Sequence, residues 1–291
     1  MRLNPFNTSN IRVREGGGGG GGFPGGGGGK VGCGTIVIAI IAALVFGVDP
    51  MQTIGALGGA DGGAPIQQTT SAQNETEICN SNEYSREACN ALDSLNRTWQ
   101  PEFQEAGIAF QDPLLTFIRG GRIDTGCGAA SSEMGPFYCP ADQGIYIDTR
   151  FYDQMERQLG AGGDFARYYV MAHEYGHHIQ NLTGLASQIR SAQAQDRRRA
   201  NDLQVRMELQ ADCYAGVWAA KNRNLIDPGD LQEGLRTASA IGDDTLQRNA
   251  GQRINPESFT HGTSAQRMQW LRRGLETGDE DQCDTFADLR G

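Results

Sequence analysis

The chain has 291 residues, enough for one large domain, and its 35 acidic against 25 basic residues leave a net charge of −10. No basic cluster is longer than Arg197-Arg198-Arg199, which excludes nucleic acid as the main partner because phosphate binding needs a broad positive surface. Of the 41 glycines, 12 fall between Gly16 and Gly29, so the low-complexity bias is local.

Residues 1–30 carry Arg2, Arg12, Arg14 and Lys30 among glycine tracts and are expected to form a basic, flexible arm without a core. Val31 to Val48 follows, 18 residues without a charge. At 1.5 Å per residue this run reaches about 27 Å, close to the roughly 30 Å of a bilayer core, and predicts one N-terminal transmembrane helix. Positive charge before it and none close behind predict a cytoplasmic arm, with the rest of the chain in the periplasm or outside the cell. The competing reading is a cleaved signal peptide, but the run is long for one and no A-x-A-like site follows. Residues 49–76, rich in Gly, Ala, Gln and Thr, read as a linker to a domain at 77–291.

Six cysteines follow the anchor, and in an oxidising compartment an even number implies three disulfides. Sequence proximity suggests Cys79–Cys89 and Cys127–Cys139, which leaves Cys213–Cys283.

Within the domain, Ala88, Leu92, Leu95 and Trp99 recur at helical spacing over 85–105, and 114–118 reads as a short strand. Residues 144–148 alternate like an edge strand, read either as a surface to which a peptide adds by main-chain pairing or as an ordinary packed strand. Helices are expected over 165–181, 199–220, 231–248 and 265–274. A little sheet followed by helices is an α+β pattern, mostly helical.

Three of the four histidines lie in Met171-Ala-His-Glu-Tyr-Gly-His-His178. On a helix His173 and His177 are i and i+4, so both imidazoles project from one face and can grip one metal ion, whereas His178 points elsewhere. Glu174, the next residue after His173, is placed to take a proton from an attacking water. A catalytic zinc site needs a third protein ligand. Glu208 is the candidate, with Asp212 one turn on as the acceptor for a ligand imidazole N–H. The competing arrangement for Glu208 is a surface pair with Arg206 or Arg198. His261, the remaining histidine, lies in a turn-like segment and is a candidate donor to the oxyanion of a tetrahedral intermediate, with loop stitching as its plainer role. Tyr146 and Tyr214 are weaker candidates for the same task.

These motifs, with Gly135-Pro-Phe-Tyr-Cys139-Pro and Ser258-Phe-Thr-His261-Gly-Thr-Ser264, resemble the neutral zinc metallopeptidases of bacterial envelopes. The resemblance covers nearly the whole chain and implies a single-pass protein with a zincin-like domain, zinc on His173, His177 and Glu208, and Glu174 as general base. The long glycine arm departs from the family pattern. The expected function is therefore a membrane-anchored, extracytoplasmic zinc peptidase acting on peptides or proteins. The alternative is a non-catalytic envelope protein that keeps zinc for stability and binds a partner through its edge strand.

Overall fold

A computed structural model describes residues 1–16, 72–120 and 122–289. A four-stranded sheet is formed by β1 (Arg12–Gly16), β2 (Leu114–Ile118), β5 (Phe137–Cys139) and β6 (Gly144–Ile147), in the order β1-β2-β6-β5. The first three positions in that order run parallel, and β5 is antiparallel to β6. A separate antiparallel hairpin comprises β3 (Arg122–Thr125) and β4 (Gly128–Ser131). Around these pack the helices α1 (Ala72–Cys79), α2 (Glu83–Glu105), α3 (Arg150–Leu159), α4 (Asp164–Leu182), α5 (Leu185–Gln195), α6 (Ala200–Lys221), α7 (Asp230–Ala240), α8 (Asp243–Asn249) and α9 (Ser264–Thr277). The fold is mostly helical with a small sheet, as expected for the α+β class.

Helix α2 buries Ala88, Leu92, Leu95, Trp99 and Phe103 on one stripe, and Asn82 caps it by accepting from the Ser85 N–H. Helix α4 is buried nearly all round, which makes it the central element of the core. Two backbone approaches set the helix geometry. A Cβ on Gly176 would lie 2.8 Å from the Ala211 Cα, so glycine at this point of α4 lets α6 come close. A Cβ on Gly274 would lie 2.0 Å from the Cys213 carbonyl oxygen, so α9 meets α6 by the same device. The expected helix over 231–248 is divided into α7 and α8 at Gly242, where a Cβ would strike the Ser264 backbone.

The three disulfides join Cys79 to Cys89, Cys127 to Cys139 and Cys213 to Cys283, the pairing that sequence proximity suggests. Strand β6 is not an edge: it lies between β2 and β5, and Ile145, Tyr146 and Ile147 are fully buried. The expected docking edge is therefore corrected to an interior strand, and the short β5 takes the end position.

The first 16 residues differ most from expectation. Instead of a coreless arm they supply β1, whose main chain pairs with β2 from Arg12↔Leu114 to Gly16↔Ile118. Val13 is fully buried, its N–H donates to Glu75, and Arg14 reaches the Thr116 hydroxyl and the Tyr146 phenol. Helix α1 begins at Ala72, inside the stretch expected as linker. The expected anchor at 31–48 lies outside the described residues, and no helix among the described residues is long and apolar enough to cross a membrane.

Candidate metal centre

Helix α4 carries His173, Glu174 and His177, and α6 carries Glu208 and Asp212. The close contact at Gly176 and Ala211 brings the two helix faces together, so that donor atoms of His173, His177 and Glu208 all lie within 4.8 Å of one another. His173 Nε2 is 3.1 Å from one Glu208 oxygen and His177 Nε2 is 3.5 Å from the other. Two imidazole nitrogens and a carboxylate converging from two rigid helices form a donor set that suits a divalent zinc ion. Arg206, the competing partner for Glu208, instead pairs with Asp202 and Asp288.

Asp212 is fully buried and accepts from His173 Nδ1 at 2.8 Å. A carboxylate can only accept here, so Nδ1 carries a proton, and Nε2, which faces Glu208, is the nitrogen that would be left to coordinate a metal. The same carboxylate accepts from the Tyr169 hydroxyl at 2.5 Å and from Arg267 at 2.8 and 2.9 Å. Burial alone would raise the Asp212 pKa, but the Arg267 and His173 charges overcome it and hold it down at about 2. Burial depresses His177, yet the facing Glu208 lifts it to about 9, and the His177 charge in turn holds the buried Glu208 well below the usual carboxylate range. The centre thus keeps an anionic carboxylate deep in the protein.

Glu174 lies beside this set and lines a cleft of about 570 Å³. It is 9% exposed, and among the described residues its carboxylate has no hydrogen-bond partner. His261 reaches the same cleft from the loop between α8 and α9. Its loop is wound around Asp243, whose Oδ2 accepts from the Thr260, His261 and Gly262 N–H groups at 2.7, 2.7 and 3.1 Å. The His261 Nδ1 lies 3.2 Å from Asp243 Oδ1; burial depresses its pKa, and the bond to Asp243 reverses the shift to a net rise. Loop stitching and presentation to the cleft are therefore both visible at this histidine.

His178 points away, as its helix position predicts. It is fully buried between the Tyr138 hydroxyl and the Gln111 carbonyl, and burial pushes it down to about 4. Tyr146 donates to Asp142 and Tyr214 packs edge-on against Trp99, and neither is among the residues lining the cleft, which removes both as oxyanion candidates. Sequence reasoning missed Arg267, Tyr169 and Asp243. Only Tyr169 carried a local signal, one turn before His173 on the same helix face.

The family described as "Putative neutral zinc metallopeptidase" matches residues 3–286, and the chain belongs to that family. An uncharacterized protein of Escherichia coli K12, YpfJ, is 44% identical over 255 residues, which cover 87% of this chain and 85% of that protein. The uncharacterized proteins Mb2605 of Mycobacterium bovis and Rv2575 of Mycobacterium tuberculosis H37Rv are each 42% identical over 207 residues, 67% of this chain and 68% of theirs. No solved structure matches the chain.

Proposed function

We propose that the chain is a zinc-dependent peptidase that hydrolyses peptide bonds, with zinc held by His173, His177 and Glu208. The observation that carries this reading is the Glu174 carboxylate: without a hydrogen-bond partner among the described residues, it lines the cleft beside the three donors. A site that held zinc only for stability has no use for such a group, which disfavours the binding-protein alternative. When bound, zinc supplies Lewis acidity toward a carbonyl oxygen and lowers the pKa of water. Glu174 accepts the proton of the attacking water and returns it to the leaving amine. His261, held by Asp243, donates to the oxygen on which negative charge develops. Asp212 and Arg267 keep the His173 ring in its tautomer and orientation.

Three disulfides support placement in an oxidising compartment outside the cytoplasm. A single crossing by 31–48 would put residues 1–16 and the domain on opposite sides of the membrane, whereas β1 belongs to the domain's own sheet. The two arrangements exclude each other.

The test uses the full chain. Wild-type protein is expected to hold one zinc and release products from a mixed peptide library. Glu174→Gln is expected to keep zinc and lose nearly all turnover. A wild type that binds zinc but cleaves nothing would favour the binding-protein reading, and equal turnover by Glu174→Gln would remove the assigned base.

A further inference from the structure

We infer that Gln180 positions His177 as Asp212 positions His173, and that Gln210 and the Cys283 carbonyl lock Gln180 in place. The inference rests on the zinc reading above and adds the support of its second imidazole.

Gln180 is fully buried on α4, three residues after His177, and its Oε1 lies 2.9 Å from His177 Nδ1. An amide side chain can face either way, so which atom meets the imidazole needs an independent constraint. The structure supplies it. The Gln180 amide nitrogen donates at 2.7 Å to the Met207 carbonyl, a group that only accepts, and at 3.0 Å to Gln210 Oε1. The oxygen must therefore face His177, so Nδ1 carries a proton and Nε2, on the Glu208 side, is the nitrogen that would be left to coordinate the metal.

Gln210 is constrained in the same way. Its amide nitrogen donates at 3.1 Å to the Cys283 carbonyl, which turns its oxygen toward Gln180. Three acceptors in series thus fix a proton on His177 Nδ1 and set the direction of each amide along the path. The path ends on the chain segment that the Cys213–Cys283 disulfide ties to α6, directly after Asp212. Each candidate ligand imidazole then has its own acceptor, a carboxylate for His173 and a neutral amide for His177. The amide orients its ring without adding a further buried negative charge to those of Glu208 and Asp212, a charge that burial would make costly.

The experiment measures zinc affinity of the full chain by chelator competition, together with the histidine side-chain N–H signals of the zinc-loaded protein by nitrogen-edited NMR. Gln180→Ala is expected to weaken zinc binding by roughly 10–100-fold and to displace the His177 Nδ1–H signal while leaving that of His173 in place. Gln210→Ala, which touches no ligand, is expected to move the same signal with a smaller loss of affinity, and it carries the test if Gln180→Ala does not fold. Unchanged affinity in a folded Gln180→Ala would overturn the inference alone, as would equal movement of both histidine signals, the mark of general loosening. Failure of the wild type to bind zinc would overturn the zinc reading and this inference with it.

Discussion

Asp212 and Arg267 form a bidentate pair in which both partners are almost completely buried, 0% and 2% exposed, and the same carboxylate holds His173. Removing one partner of such a pair leaves an uncompensated charge in the interior. Arg267→Met is therefore expected to cost about 3–5 kcal/mol of stability, read by urea unfolding. Asp212→Ala is expected to weaken zinc binding by about 10–100-fold, and Arg267→Met joined to Asp212→Asn should regain part of the stability that Arg267→Met loses alone. Full additivity in that double variant would show that the pair is not energetically coupled.

His178 provides a prediction of pH dependence with a definite sign. Burial holds its folded pKa at about 4, below the 6.5 of an unperturbed histidine. Between these values the unfolded chain binds a proton that the folded chain refuses, so stability falls as pH drops from 6.5 toward 4 and levels off below. At pH 5 the loss from this residue is about 2 kcal/mol. His178→Gln keeps an acceptor for Tyr138 and a donor for Gln111 without titrating. Urea unfolding at pH 7 and pH 5 should show the wild type losing about 2 kcal/mol more than this variant. Parallel losses in the two proteins would remove His178 as the cause.

Much of the centre was legible because its parts are local. His173, Glu174 and His177 lie within about one helical turn, and periodicity alone puts His173 with His177, and Glu208 with Asp212, on one face. The disulfides followed from short separations of 10 and 12 residues, with the long pair as the remainder. Arg267 was not legible, since it meets a carboxylate 55 residues earlier in the chain through helix packing set by Gly216 and Gly274. Gln180 follows His178 by two residues, but its role depends on Met207 and Gln210 of another helix. Strand β1 did carry a signal: Ile11 and Val13 alternate with Arg12 and Arg14 and are both buried. The glycine tracts next to it outweighed that pattern, and the parallel partner lies about 100 residues away, beyond any local reading. The interior position of β6 was hidden for a related reason: a strand reads as an edge or as interior only once its neighbours are known.

The placement of β1 leads to a test of how the chain sits relative to a membrane. Val13 is fully buried, Ile11 is 3% exposed, and five residue pairs join β1 to β2. Removing this strand would uncover the β2 main chain and part of the core, so the docked form is expected to prevail and Val13→Ala should cost the domain about 1–3 kcal/mol. With β1 docked, residues 1–16 are expected on the same side of any membrane as the domain, an arrangement that a single crossing between them would not allow. The measurement is labelling of cysteines introduced one at a time at the exposed Ser9 and Ser187 in intact cells, using a maleimide that cannot cross membranes. Equal labelling of both sites is expected. Labelling of Ser187→Cys with protection of Ser9→Cys until the membrane is opened would restore the single span with a cytoplasmic arm. In that case Val13→Ala should leave domain stability unchanged, because the strand would then have no place in the sheet.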